Sequence, residues 1–395
     1  MFYLCKTMKK MIQFTQGCTE PAAIALNAAY VGKYLQNAEK ISLEIDKMTF
    51  KNAYRAGIPN SQDNIGVTFA LLYGYLIANT ENELEIFNEL DDEIIDKAKK
   101  LYDTVEINVV DKNDMFIKTT AYKDGDKAVA VTEHSHTNIV CVSLNDDMKV
   151  NKEISKEQSV CFEKEFYDVD KWPEYVDKMY QDSSLRQKME KAIKTNILAA
   201  EKSLYDDDSV FSSVYARMKG DKIRVASCAG SGNKGLTAII APLEYAQAKN
   251  AEKEKTTKAA LLSCFVTSLI TSRLGFISSV CGAIHAAGVG VLAAILYIDD
   301  NLSLFENAFN NYIVANGGVI CDGAKRSCAM KAANAVEGAY LSIEFAKRGA
   351  TVDYKDGMLG KTFYDTIKNL ERYKEAFGMF DMRTIEILRG KNGNR

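Results

Sequence analysis

Apolar positions follow two different periods along the chain, and the shorter period lies in its first half. Between residues 38 and 150, five short segments are apolar at alternate positions or throughout, as expected for strands of a partly buried sheet. These segments are ISLEID, VEINVV, MFIKTTAY, KAVAVTE and NIVCVSL. The turn sequence Lys-Asp-Gly-Asp between the third and the fourth predicts a hairpin. We therefore predict an inserted α+β domain at 38–150 with a mostly antiparallel sheet.

Helical spacing and many alanines dominate the rest of the chain. Thr19-Glu20-Pro21 begins one predicted helix, because proline is favoured in the first helical turn. The other predicted helices span 187–204, 235–250, 255–272, 282–298, 303–315 and 328–348, with one short strand at 222–227. We therefore predict that residues 1–37 and 186–395 form an Ala/Gly-rich helical domain, interrupted by the inserted domain, and that the polar segment 151–185 is a connector. The predicted fold class is α+β.

Charge and composition exclude several classes of function. The net charge of −3 provides no basic surface for nucleic acid or an anionic membrane. The longest apolar stretch, 282–298, contains His285 and is too short to span a membrane. Residues 1–14 do not resemble a secretory signal. We therefore expect a cytoplasmic protein, in which nine cysteines indicate metal ligands or catalytic thiols rather than disulfides.

Three cysteines lie in similar, glycine-rich surroundings and are the candidate metal ligands. Cys281 precedes a glycine, Cys321 follows Gly317-Gly318-Val-Ile, and Cys328 comes seven residues later. Seven residues rise about 10 Å along one helix, so Cys321 is expected in a loop and Cys328 on the following helix. A zinc site with His285 as the fourth ligand is one alternative. Three buried free thiols in an Ala-rich bundle are the other.

Cys18 is a thiol of a different kind, because it directly precedes a predicted helix. The positive end of the helix dipole favours a thiolate there, whereas the nearby Glu20 opposes it. Such a thiolate suits a general base, a nucleophile or a displaceable fourth iron ligand. A small buried residue beside a helix cap is the alternative interpretation.

The segment Cys228-Ala-Gly-Ser-Gly-Asn-Lys-Gly235 matches G-x-G-x-x-G between a predicted strand and a predicted helix. A dinucleotide fold is not expected, since no second parallel strand follows. The phosphate-loop pattern also fails, because glycine follows Lys234. A glycine turn at a helix start can bind a substrate carboxylate, and we assign Ser231, Gly232 and Asn233 to substrate binding. A tight turn that lets helix and strand pack closely is the alternative.

Two further features concern substrate and cofactor. His134-Ser-His-Thr-Asn138 lies between two predicted strands, and His136 and Asn138 are assigned to substrate binding, with an ordinary polar turn as the alternative. Lys234 beside an anion-binding turn superficially suits a pyridoxal phosphate lysine, but no doubly wound scaffold is predicted around it. We therefore expect no pyridoxal phosphate.

Four motifs in this order carry a family resemblance: GCTEPAAIAL at 17–26, CAGSGNKG at 228–235, CGAIHAAGVG at 281–290 and CDGAKRSCAMK at 321–331. Together they resemble the L-cysteine desulfidase family, which is related to the catalytic chain of iron–sulfur L-serine dehydratases. The likeness covers essentially the whole chain. The sequence departs from it at Lys234, where the family predicts Gln, and at Asn60, where it predicts Gly.

The resemblance implies a [4Fe–4S] cluster on Cys281, Cys321 and Cys328, with one iron free of protein ligands during turnover. It also implies that Cys18 acts near the cluster, as a base or an exchangeable ligand. The implied reaction is β-elimination from L-cysteine to hydrogen sulfide, ammonia and pyruvate, with the open iron as Lewis acid for the leaving thiolate. The expected partner is a small amino-acid substrate, and a homodimer is left open. An iron–sulfur L-serine dehydratase, a non-enzymatic redox sensor and a zinc-stabilised structural protein are the alternatives.

Overall fold

The structure, a computed structural model, describes residues 2–112, 114–152, 162–203 and 208–390. Part of the predicted connector, 153–161, therefore lies outside the described residues. The helices of the described part are α1 Phe2–Met11, α2 Thr19–Gly32, α3 Lys47–Ala53, α4 Val67–Ile77, α5 Asp92–Leu101, α6 Trp172–Gln181, α7 Ser183–Glu201, α8 Ser209–Lys219, α9 Gly232–Ala248, α10 Lys253–Leu274, α11 Val289–Ile298, α12 Phe305–Asn316, α13 Cys328–Lys347 and α14 Phe363–Gly390. The strands are β1 Ile12–Gln16, β2 Lys40–Asp46, β3 Val105–Val110, β4 Phe116–Lys123, β5 Asp126–Glu133, β6 Ile139–Leu144, β7 Asp147–Asn151 and β8 Arg224–Cys228.

The larger sheet has six strands in the order β3-β2-β4-β5-β6-β7. Its pairs are antiparallel except for β2 and β3, which are parallel. The predicted hairpin joins β4 and β5, and Asp124 and Gly125 at its tip have positive φ of 50° and 88°. Both residue types tolerate this left-handed conformation, so the turn forms without strain. The α+β fold class is confirmed.

The apolar residues form two large cores. One lies between the six-stranded sheet, α2 and α4, and the other is built mainly from α9, α10, α11 and α13. The sequence interpretation placed residues 1–37 in the helical domain, but the buried residues of α2 pack in the core of the sheet. The domain boundaries themselves stay a prediction.

A two-stranded sheet connects the N-terminal segment to the helical part. β1 pairs antiparallel with β8, with Ile12 opposite Cys228 and Gln16 opposite Arg224. The chain leaves β1 toward Cys18 and leaves β8 toward the glycine turn at 229–231. Although the two antiparallel strands end at opposite ends of this pair, the first residue of α2 contacts the glycine turn that precedes α9. Thr19 Oγ1 donates to the backbone oxygen of Gly230 at 3.4 Å.

Candidate active site

Two cysteine-bearing loops run side by side. The backbone N–H of Cys281 donates to the oxygen of Val319 at 3.0 Å, and that of Cys321 donates to Ser279 at 2.7 Å. An antiparallel bridge between Val280 and Ile320 completes the pairing. Cys281 and Cys321, forty positions apart in sequence, are therefore held on adjacent stretches of backbone.

Cys328 begins α13, as the seven-residue spacing predicts, while Cys321 lies in the preceding loop. The Cys328 N–H donates to the Lys325 oxygen at 2.8 Å, and its Sγ lies 3.6 Å from the Gly323 oxygen. Gly323 has a φ of +97°, and a Cβ there would lie 2.5 Å from the Lys51 oxygen. Glycine is therefore required for the loop to turn back against α3.

The three thiols are near enough to influence one another's ionisation. Burial and the neighbouring Cys321 raise the pKa of Cys281 to about 12. Burial and Cys321 likewise raise the pKa of Cys328. The ammonium of Lys331, which bonds to the Ile320 oxygen at 2.9 Å and to Asp322 at 2.6 Å, opposes both shifts. Without a metal the thiols of Cys281 and Cys328 hold their protons, which a bound metal must displace.

The zinc alternative needs ligands that converge on one ion. Four thiolates around one zinc lie about 3.8 Å apart, since each Zn–S bond is about 2.3 Å. Among the described residues, no three His, Cys, Asp or Glu side chains converge in that way. The ring of His285, the suggested fourth zinc ligand, lies between two backbone oxygens, Nδ1 at 3.1 Å from Cys281 and Nε2 at 2.9 Å from Gly317. A polynuclear cluster holds its cysteine ligands farther apart than a single zinc ion does, so this result argues against zinc alone.

A buried ion pair fixes the first cysteine loop to the C-terminal helix. Asp381 of α14 bonds to Lys51 of α3 and accepts a hydrogen bond from Ser279, two residues before Cys281. The side chains of the ion pair are 0% and 2% exposed. These contacts connect three segments that are far apart in sequence, namely α3, α14 and the loop before Cys281.

Replacing Asp381 by Ala leaves the Lys51 ammonium buried without its partner. We expect the free energy of unfolding to fall by about 3 kcal/mol or more, measured by urea denaturation. The matched control is Arg383→Ala on the same helix, whose exposed pair with Glu386 is screened by water and should contribute far less. Equal effects from the two variants would contradict a structural role for the buried pair.

Cys18 occupies the N-cap of α2 and is 2% exposed. Its Sγ donates to Glu20 Oε2 at 3.1 Å, and Glu20 Oε1 accepts from Asn52 at 3.0 Å. Burial and the Glu20 carboxylate raise the pKa of Cys18 well above its ordinary value, although Arg217 opposes them. Of the two opposing influences that the sequence indicates, the carboxylate outweighs the helix dipole, and Cys18 is a thiol here.

Glu20 itself is a buried carboxylate. Burial would raise its pKa, but the neighbouring His136, Cys18 and Asn52 outweigh this and lower it. Glu20 is therefore ionised at neutral pH and presents a negative charge inside the site.

The glycine turn has the predicted position between a strand, β8, and a helix, α9. Ala229 and Gly230 have φ of +46° and +79°. Ser231 caps α9, its Oγ accepting from the Lys234 N–H at 3.4 Å. A Cβ on Gly235 would lie 2.1 Å from the Ala226 oxygen. The turn therefore also serves the close packing of helix on strand that the alternative interpretation describes.

Asn233 and Gly232, assigned from the sequence to substrate binding, both contact Arg217. The Asn233 Oδ1 accepts from Arg217 Nη1 at 2.8 Å. A Cβ on Gly232 would lie 2.4, 2.6 and 2.9 Å from Nε, Cζ and Nη2 of Arg217, so the flat face of the guanidinium packs against this glycine. Arg217 is 2% exposed, and a buried guanidinium needs acceptors and close packing. Arg217 therefore engages the Oδ1 of Asn233, and the assignment of Gly232 and Asn233 to substrate binding stays a prediction.

Replacing Gly232 by Ala should displace Arg217 and destabilise the turn. We expect a loss of about 1–3 kcal/mol in the free energy of unfolding, typical of overpacking, measured by thermal or urea denaturation. Gly378→Ala on α14 is the control, because a Cβ there meets nothing within 4 Å. Unchanged stability of the Gly232 variant would contradict the packing described here.

His136 and Asn138 share the turn between β5 and β6 but have different surroundings. The His136 Nε2 is buried without a partner among the described residues, and its Cε1 lies 3.8 Å from the position of a Cβ on Gly230. Burial lowers the pKa of His136, while Glu20 opposes this shift. Asn138 instead closes the turn, its Nδ2 donating to the Glu133 oxygen at 3.0 Å. His136 reaches the glycine turn, whereas Asn138 has a local structural contact.

Asn60 is the second departure from the family pattern. Its φ is +61°, in the left-handed region that favours glycine and tolerates asparagine. Its Nδ2 donates to the Phe87 oxygen at 2.7 Å. Asparagine therefore replaces the expected glycine without a backbone conflict.

A cavity of about 70 Å³ lies between the glycine turn and the cysteine loops. Its polar lining comprises Glu20, Asn52, Ser231, Lys234, Thr271, Ser278, His285 and Cys321. One water needs about 10–15 Å³ by this measure, so the cavity suits a molecule of amino-acid size and not a nucleotide. Burial lowers the pKa of Lys234 to about 8, so its ammonium is mostly protonated at neutral pH.

Several residues of the site are not identifiable from the sequence. Arg217, Thr271 and Asp381 lie on helices outside the motifs that they contact, and no spacing rule connects them. For Arg217 the available signal is a cation in the mixed helical stretch Ser209–Lys219, which is equally typical of a solvent-exposed helix face.

Comparisons with known proteins match most of the chain or nearly all of it. The family model described as serine dehydratase alpha chain matches residues 81–377. An L-cysteine desulfidase from Methanocaldococcus jannaschii is 30% identical over 406 residues, covering 98% of this chain and 97% of that protein. A UPF0597 protein from Nautilia profundicola is 30% identical and covers 99% of this chain and 100% of its own length.

No solved structure matches the chain. Within the described residues, none of the helices combines the length and the apolar character needed to cross a bilayer.

Proposed function

Because the chain belongs to the serine dehydratase alpha chain family and is therefore a lyase, we propose that it eliminates hydrogen sulfide from L-cysteine with a [4Fe–4S] cluster. Cys281, Cys321 and Cys328 would hold the cluster. The observation that carries the proposal is the pairing of the Cys281 and Cys321 loops beside an amino-acid-sized cavity. The near full-length similarity to a protein named L-cysteine desulfidase supports the choice of substrate.

When bound, the cluster supplies a Lewis acid for the departing sulfur. The chain's own residues bind and orient the amino acid. Lys331 and Lys325, which bond to Asp322 between the two later cysteines, bring positive charge to the cysteine loops. Such charge favours thiolates over thiols.

Cys18 is the group that we propose removes the α-proton. It must first lose its own proton, and Glu20 Oε2 at 3.1 Å is an acceptor within reach. The Cα–H and Cβ–S bonds of cysteine break and a Cα–Cβ double bond forms, giving aminoacrylate and sulfide. Aminoacrylate tautomerises and takes up water to give pyruvate and ammonia, so the overall reaction consumes one water.

L-Serine is the second candidate substrate, favoured by the description of the matching family. Its elimination needs the same α-proton removal, but hydroxide leaves instead of sulfide.

The deciding experiment is purification without oxygen, followed by iron and sulfide analysis, a visible spectrum, and assays of pyruvate from cysteine and from serine. We expect about four irons per chain and both sulfide and pyruvate from cysteine. Better turnover of serine would replace the substrate assignment alone. A colourless, iron-free protein with no lyase activity after reconstitution would overturn the cluster and the mechanism together.

A further inference from the structure

The cavity wall contains a buried ammonium group that no carboxylate of the described residues contacts. Lys234, in the first turn of α9, is 3% exposed. Its Nζ donates to Thr271 Oγ1 at 3.1 Å, which uses one of three N–H groups. Lys234 forms no ion pair with any described residue, although the charge of Glu20 across the cavity favours the ammonium form. A buried cation with no carboxylate in contact with it is poorly compensated, so this position favours an incoming anion.

The position of the ammonium is fixed from two sides. The alkyl chain of Lys234 packs against Gly282, where a Cβ would lie 3.1 Å from Cδ. The hydroxyl of Thr271 holds Nζ at the other end. Because Gly282 directly follows Cys281, this packing directs the ammonium into the space between the glycine turn and the cysteine loops.

The remaining lining of the cavity determines which end of an amino acid fits there. Lys234 is the one side chain with a full positive charge among the described residues that line it. Ser231 and Thr271 add hydroxyl groups nearby. Glu20, which also lines the cavity, carries a negative charge that repels a carboxylate. A carboxylate is therefore attracted to Lys234 and excluded from the Glu20 side.

We propose that Lys234 binds the α-carboxylate of the amino-acid substrate and so directs the β-substituent toward the Cys321 loop. This inference rests on the proposed elimination reaction and names the residue that orients its substrate. The family resemblance predicts Gln at this position, and an amide offers the same carboxylate a hydrogen bond without the charge. The chain is therefore expected to bind carboxylates more tightly with Lys234 than with an amide there.

The test compares wild type with Lys234→Gln, using two competitive inhibitors that each lack one end of cysteine. 3-Mercaptopropionate has the carboxylate but no ammonium, and cysteamine has the ammonium but no carboxylate. In the variant we expect the inhibition constant of 3-mercaptopropionate and the KM for cysteine to rise by about 10- to 100-fold. This is the effect of losing a charged hydrogen-bond partner. Inhibition by cysteamine and kcat should change little.

A second measurement does not depend on the cluster. Binding of L-alanine to the cluster-free protein, followed by saturation-transfer NMR, should weaken in Lys234→Gln and remain unchanged in the control Lys249→Gln, at the opposite end of the same helix. Wild type could prove inactive on cysteine and serine while L-alanine binding still depends on Lys234. That result would support carboxylate binding by Lys234 and contradict the proposed reaction. If the variant binds both inhibitors equally more weakly, or loses its iron, Lys234 supports the structure of the cysteine loops. Either result would overturn the inference.

Discussion

Replacing Cys321 by Ser is expected to remove the iron from the protein and to abolish turnover. Cys321 lies in the loop that pairs with Ser279 and Cys281, and it also lines the cavity. The backbone pairing does not involve its sulfur, so the substitution should leave the fold intact. A hydroxyl is a poor iron ligand compared with a thiolate. We expect iron at background level and activity reduced by at least about 1,000-fold, since a bound metal contributes several kcal/mol to such a reaction.

The matched control for Cys321→Ser is Cys141→Ser. Cys141 is half-buried on β6, within the six-stranded sheet, and it belongs to none of the cysteine loops. Iron content, visible spectrum and turnover should equal those of wild type. Full iron and activity in Cys321→Ser, with Cys141→Ser as reference, would exclude Cys321 as a ligand.

Replacing Cys18 by Ala is expected to abolish most turnover while sparing the cluster. The substitution removes the Cys18 thiol, which bonds to Glu20. We propose that this thiol, once deprotonated, accepts the α-proton. Loss of a general base lowers the rate by about 10²- to 10⁴-fold. Because Cys18 lies on α2 rather than on the cysteine loops, iron content and visible spectrum should be retained. Steady-state kinetics and iron analysis on the same preparation provide both measurements.

Cys5→Ala is the control for the N-terminal substitution. Cys5 is also a buried thiol, 8% exposed, on α1, and its Sγ faces a backbone oxygen 4.0 Å away. It should retain iron and activity. Loss of the cluster in Cys18→Ala would identify Cys18 as an iron ligand, and full activity would exclude it from the reaction.

Local signals predicted the elements that carry the site. Periodicity indicated the helices after residue 186 and the strands between 38 and 150, because burying one face imposes a period of 3.6 or of 2. Glycine at 235 and 323 has a steric cause in the structure, where a side chain would collide with backbone. In the same part of the chain the sequence interpretation missed α8 and α14.

Side-chain partners were less predictable. Asn233 is an obvious polar residue at a glycine turn, yet it faces Arg217. Asn138 bonds within its own turn. In both cases a neighbour from elsewhere in the fold, or the local backbone, offers a contact that sequence spacing cannot reveal.

The sequence by itself determined the α+β class, the order of the four motifs, and the three cysteines in glycine-rich surroundings as candidate ligands. Tertiary structure alone decided how these residues act together. It paired the Cys281 and Cys321 loops, buried Cys18 so that the thiol keeps its proton, and buried Lys234 in the cavity wall. The physical reason is that pKa and ligand geometry depend on distance and burial, and both are set by contacts between segments far apart in the chain.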